Sequence, residues 1–222
     1  MKKILCTLLF APFFFISSCE EEGPIHGCLD SQALNYTSEA SIDDNSCEYP
    51  EIGSIYQGGI VFYIDETGEH GLIAALEDLT EGATDPGGWG INGYEWGCNG
   101  VFVDGADGIE IGTGYQNTLD IVNQGCTTSG YGGVTAAQAA LDAEINDYSD
   151  WYLPSKDELE EMYNTIGNGG PEGNIGGFMI EYPYWSSSEH NDDNSRVLNF
   201  SSGITNFDYK GFAYSVRVIR SF

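Results

Sequence analysis

Positive charge is what this sequence lacks most. Seven Lys and Arg stand against 35 Asp and Glu, giving a net charge of -28 over 222 residues. Binding a phosphate backbone needs a basic footprint, so the balance argues against a nucleic-acid partner. It also argues against docking on anionic lipid through a basic face. Histidine is scarce too: His26, His70 and His190 are scattered. There is no C-x-x-C spacing of the kind a zinc site would want. No G-x-S-x-G nucleophile elbow is present. Ser186, Ser187 and Ser188 lie near Glu189 and His190, but adjacency alone supplies neither an oriented base nor an acid. Beyond residue 16 no apolar run approaches the length of a membrane span.

What is present is core material and glycine. Apolar residues make up 41%, and Tyr, Phe and Trp total 29, too many for a disordered acidic tail. Glycine, at 30 residues, is roughly twice its usual share and implies many turns and long shaped loops. The length suits one main domain with a small appendage.

Residues 1–18 have the form of a signal peptide. Lys2 and Lys3 precede an almost wholly apolar stretch, 4–16. Ile16-Ser17-Ser18-Cys19 then resembles a bacterial lipobox. Cleavage before Cys19 and acylation of its thiol would anchor the chain to a membrane, since more than one acyl chain gives stable attachment. The acidic run Glu20-Glu21-Glu22 opens a tether over 19–26 and resembles the surface-export signal of Bacteroidetes lipoproteins. Removing residues 1–18 takes away two lysines and no acid, so the mature charge is -30.

Cys28, Cys47, Cys98 and Cys126 remain after processing. An even number in an exported chain favours two disulfides. Proximity favours Cys28–Cys47 and Cys98–Cys126, though four cysteines allow three pairings. Residues 27–49 resemble a short repeat of Bacteroidetes surface proteins, G-C-x-D-x-x-A-x-N-Y-x-x-x-A-x-x-D-D-x-S-C. A unit this small cannot build its own core and needs a staple. A disulfide closing a loop of that size is worth roughly 3 kcal/mol. Asp30, Asn35, Asp43, Asp44 and Asn45 offer hard oxygens that would suit Ca2+, or serve as turn and cap residues. Asp104 and Asp107 lie in a second acidic loop, which fails the EF-hand pattern because Ala106 replaces an oxygen ligand.

The main domain is expected over 51–222. Residues 60–64 and 71–76 read as strands around an Asp-Glu-Thr-Gly turn. Residues 80–134 hold 15 of the glycines and read as a long loop excursion. Two helices follow. One opens at Thr135 and runs to about Ile145; the other opens at the capping box Ser155/Glu158 and buries Leu159, Met162, Tyr163 and Ile166. The remainder reads as antiparallel strands, which makes the class α+β. In the final strand Arg217 and Arg220 fall on opposite faces, with Asp157, Glu158 and Glu189 as expected partners.

GGIVFYID (58–65), WGCNG (96–100), IGTGYQNTLDIV (111–122), DWYLPSKDELEEMY (150–163), YWSSSE (184–189) and SVRVIRSF (215–222) stand in the order and spacing of the bacterial DUF1566 family, which the chain resembles. That family includes the C-terminal domain of a Legionella collagen-like adhesin. The resemblance implies a variant of the C-type lectin-like fold with long Gly-rich loops. It also implies a secreted or outer-membrane setting. Sulfated glycosaminoglycans, bound by the adhesin, suit this acidic surface poorly, and no collagen repeat is present to carry trimerisation over. Trp151 and Trp185 are expected to pack the core, with sugar stacking as their alternative role. The related sulfatase-modifying enzymes use cysteine chemistry, which would give Cys98 and Cys126 a redox role. The expectation is a lipid-anchored, non-enzymatic protein of the outer membrane or cell surface of a Gram-negative bacterium. Its ligand would be a glycan or a surface protein, with Ca2+ as a candidate cofactor. A purely structural envelope module is the alternative.

Overall fold

The computed structural model describes residues 4–8, 17–21, 23–31, 33–85 and 92–222, which divide into two units, Met1–Tyr49 and Pro50–Phe222. In the first, β1 (Ile4–Leu8) pairs antiparallel with β2 (Ser17–Glu21), placing Cys6 opposite Cys19. Most of the signal-peptide apolar stretch, 9–16, lies outside the described residues, as does Glu22 of the acidic run. Beyond it β3 (His26–Gly27) runs parallel to β4 (Ile42–Asp43), and a disulfide joins Cys28 to Cys47. Asn35 ties the middle of this stapled loop to its end beside Cys47: its amide donates to Ser46 O and its side-chain oxygen accepts from Glu48 N at 3.0 Å.

The second unit is built around a four-stranded antiparallel sheet. Its members are β5 (Ile55–Tyr56), β6 (Gly59–Ile64), β7 (Gly71–Ala75) and, far along the chain, β13 (Ile219–Ser221), in the order β13-β7-β6-β5. Gly71 is required where it stands, because a Cβ there would meet Tyr63 O at 2.3 Å. β8 (Tyr94–Glu95) pairs with β12 (Ala213–Tyr214). A three-stranded sheet is formed by β9 (Pro183–Glu189), β10 (Asn194–Asn199) and the edge strand β11 (Ile204–Tyr209).

The central sheet has a core on each side, as its two-residue period dictates. Val61, Ile73 and Ala75 face a cluster containing Trp96, Trp151 and Trp185. Ile60, Phe62, Leu72 and Ala74 face a second, with Leu159, Met162, Phe178 and Phe200. Val216 and Val218 join the first and Ile219 the second, so the final segment contributes to both.

Among the described residues three helices complete the unit, where the sequence suggests two. α1 (Gly114–Asn123) lies inside the stretch read as loop. Its buried face is Asn117, Thr118 and Ile121, mostly polar, so no apolar stripe advertises it. α2 (Ala136–Leu141) stops four residues before the expected end. Thr135 caps it by accepting from Gln138 N, but the Gln138 amide turns to Asp142, so the capping box is only half made. α3 (Lys156–Thr165) has the full box, Ser155 with Glu158. The architecture is mixed α+β, with antiparallel sheets and short helices.

The N-termini of α1 and α3 converge on Glu158. Its carboxylate accepts from Gly112 N at 2.8 Å and from Ser155 N at 2.7 Å, and the Gly114 N–H adds to these. Two helix dipoles thus meet one buried anion. Gly114 must lack a side chain, since a Cβ would lie 2.3 Å from Glu158 Oε2. Burial pushes the Glu158 carboxyl up, and the backbone donors pull against that rise.

Candidate functional site

Three of the seven bases are committed to the interior. Lys210 is fully buried and pairs with the equally buried Glu189. Its ammonium also donates to Val101 O at 2.9 Å and Asp192 O at 3.0 Å, and sits 4.7 Å from the centre of the Trp96 ring. Glu189 in turn accepts from Val103 N. Arg217 bonds Asp78 at 2.6 Å and the carbonyls of Ala75 and Gly176, and lies over Phe178. Arg220 bonds Asp150 through two nitrogens, at 2.6 and 2.9 Å, and lies over Tyr148.

The expected partners of the two arginines are therefore corrected. Glu158 is occupied by helix N-termini, Glu189 by Lys210, and Asp157 by Lys156. The arginines do face opposite cores: Arg217 lies over Phe178 of the second and Arg220 near Trp151 of the first.

Glu95 is a buried carboxylate held by a loop. Oε2 accepts from Ser129 N at 2.6 Å and Ser129 Oγ at 2.9 Å, and Oε1 from Tyr131 N at 2.6 Å and Gly130 N at 3.1 Å. Desolvation pushes this carboxyl up, but the donors of Ser129, Tyr131 and Gly130 together outweigh it and hold it below its ordinary value. A depressed carboxylate contributes stability that is complete above the unfolded value, 4.5, and is lost as pH falls through the folded one. Glu95→Gln is expected to cost about 1.5–3 kcal/mol at neutral pH, the worth of hydrogen bonds to a charged group. The cost should shrink below pH 4.5. Urea midpoints of both proteins across that range check it; a pH-independent difference would contradict the assignment.

The residues singled out from sequence fall mostly in structural roles. Trp151 and Trp185 are wholly buried, and their indole N–H groups donate to Tyr148 O and Tyr94 O. Neither ring has a face for a sugar, so both take the core-packing role expected of them and not the stacking alternative. Cys98 and Cys126 form a disulfide. Ser186, Ser187 and Ser188 are buried; Ser186 donates to Arg196 O, Ser188 to Gly108 O, and Ser187 accepts from the Asn117 amide. His190 instead stacks on Phe207, ring centres 4.1 Å apart. Asp43 and Asp44 accept from the backbone two residues on, and Asp30 accepts from Tyr49 OH. Asp104 and Asp107 are exposed on either side of the buried Ala106. Among the described residues there is no group of three or more His, Cys, Asp or Glu that could hold a metal.

Two surface features remain. The first is aromatic. Phe207, Tyr209 and Phe212 are each 40–47% exposed along β11 and the turn that follows. Phe207 and Tyr209 share a strand face. Tyr209 meets Phe212 edge-on at 5.5 Å, and Phe212 meets Tyr214 at 6.1 Å. The Asn99 amide donates to Tyr209 OH and fixes the ring. Simple exposure of these rings is not legible in the alternation of β11, whose two faces both carry apolar residues.

The second is a groove of about 720 Å3 between the segment after β7 and the segment after α2. Its floor includes Ala75, Leu79, Ala139 and Ala143, with Leu76 and Val134 exposed at its sides. Its charged lining residues are Glu77, Asp78, Glu81, Asp142 and Glu144, with no base among them.

The fold and these features define an α+β domain stapled by a disulfide and tied by buried ion pairs, with the aromatic row and the groove outside the core. No known protein family matches the chain, and no curated protein matches it either. A solved structure of a fimbrial protein from Bacteroides ovatus ATCC 8483 is similar, with 17% identity over 83% of this chain and a TM-score of 0.42. The chain spans about half of that protein's length, 47%. The likeness is too loose to carry an argument about fold or function. No helix among the described residues is long and apolar enough to cross a membrane.

Proposed function

We propose that the protein is a surface lipoprotein, anchored through acylated Cys19, whose residues 50–222 form a DUF1566-like, non-enzymatic domain that recognises a glycan. The observation that carries the reading is the exposed row Phe207, Tyr209 and Phe212. Rigid rings with one apolar face and a polar neighbour are the side chains that dominate recognition surfaces. Sugars present apolar C–H faces to such rings and hydroxyls to the amides and carboxylates beside them. Here the Asn99 side-chain amide supplies such a group next to Tyr209.

A glycan screen with the intact protein, run with and without Ca2+, tests this. Binding is expected, and Tyr209→Ala and Phe212→Ala should each weaken it at least about fivefold, the effect of losing an anchor worth 1 kcal/mol or more. Ile52→Ala, another exposed apolar residue, should leave it unchanged. Absence of any glycan ligand would overturn the reading and leave a structural envelope module. Binding only with Ca2+ would add the cation as cofactor.

A further inference from the structure

The aromatic row leaves the groove unexplained. Its volume, about 720 Å3, falls within the roughly 300–1,000 Å3 of pockets that bury a small ligand. Its walls are fixed in advance. Leu79 N donates to Val216 O at 2.9 Å, Tyr94 OH to Glu81 O at 2.8 Å, and the Asn146 amide to Gly58 O at 3.1 Å. Arg217 pins Asp78 from the core side and neutralises it. The other four carboxylates, of Glu77, Glu81, Asp142 and Glu144, are exposed, and among the described residues no cation pairs with them. Asp142 receives only the neutral Gln138 amide.

An apolar floor beneath an unpaired anionic rim has a specific chemical complement. A lysine or arginine side chain lays its alkyl stem on apolar surface while its charged head stays at the wet edge. A glycan, neutral or anionic, brings no cationic head for the anionic rim. The net charge of -28 adds a long-range pull on any basic partner and speeds its approach.

We infer that this groove docks a basic segment of a protein partner, an extended stretch in which lysine or arginine alternates with apolar residues. The acids hold the cationic heads and the Leu79–Ala143 floor takes the apolar side chains. Docking occurs on a different surface from the aromatic row, so each site functions without the other.

The test uses the intact protein and three labelled peptides: alternating Lys-Leu, alternating Lys-Ser and alternating Glu-Leu. The Lys-Leu peptide should bind, weaken steeply with added salt, and bind about tenfold or more tighter than Lys-Ser. Glu-Leu should not bind. Glu77→Gln with Glu144→Gln should cost about tenfold in affinity, while Glu66→Gln with Glu69→Gln, an equal charge loss at an exposed turn, should cost little. Leu76→Ser should weaken Lys-Leu but not Lys-Ser binding. Unchanged melting temperatures establish that all variants are folded. Equal losses from the two double variants would overturn the groove as the site and leave a diffuse acidic attraction. Spermine competing at the peptide's own affinity would overturn the peptide assignment in favour of a small polyamine. Glycan binding by Tyr209→Ala is measured separately, so failure of either proposal is seen on its own.

Discussion

Lys210→Met is expected to lower the unfolding free energy by about 3–5 kcal/mol, the cost of leaving one member of a buried ion pair alone. The side chain it replaces is fully buried, and methionine keeps most of its volume. What is lost is the counter-charge of Glu189 and the donor to Val101 O and Asp192 O. Burial already pushes the Glu189 carboxyl up against the pull of Lys210. Without the ammonium it takes a proton more readily in the folded state than in the unfolded one. The folded variant then binds more protons, so its deficit grows as pH rises and shrinks in acid. Adding Glu189→Gln should recover part of the loss, because an uncharged amide no longer needs a counter-ion. Urea unfolding of the single and double variants at two pH values measures all of this. A single-variant loss below about 1 kcal/mol would mean the pair is effectively solvated.

Trp185→Ala should have an effect of similar size, about 3–5 kcal/mol, as for other large aromatic truncations in cores. The ring is wholly buried, packs 5.0 Å from Tyr214 and donates to Tyr94 O at 2.8 Å. Trp185→Phe keeps much of the packing and loses the hydrogen bond, so about 1–2 kcal/mol is expected. Glycan affinity of the folded variants should not change. The opposite pattern, intact stability with lost binding, would give Trp185 the sugar-stacking role that was its alternative.

How legible these features are depends on how local their causes are. α3 announces itself because Ser155 and Glu158 sit three residues apart and the apolar stripe follows at once. α1 does not. Its N-cap Thr113 makes no side-chain cap bond, and the carboxylate that receives its N-terminal donors belongs to Glu158, more than 40 residues later. The partners of Arg217 and Arg220, Asp78 and Asp150, are 139 and 70 residues away. Alternation sends the arginines to opposite faces but is blind to which acid waits there. The groove is similarly invisible, because its two acidic walls come from segments more than 50 residues apart, each of which alone looks like an ordinary solvated loop.

The position of β13 also has a consequence for biogenesis. β7 lies between β6, made just before it, and β13, made some 145 residues afterwards. Arg220 must further reach Gln57, 163 residues back. While a ribosome is still translating, β7 has one bare flank and two acids await their arginines. Contacts this distant in sequence slow folding. A nascent domain of this design therefore stays pliable until its final strand emerges, the condition in which a polypeptide can be threaded through a secretion channel.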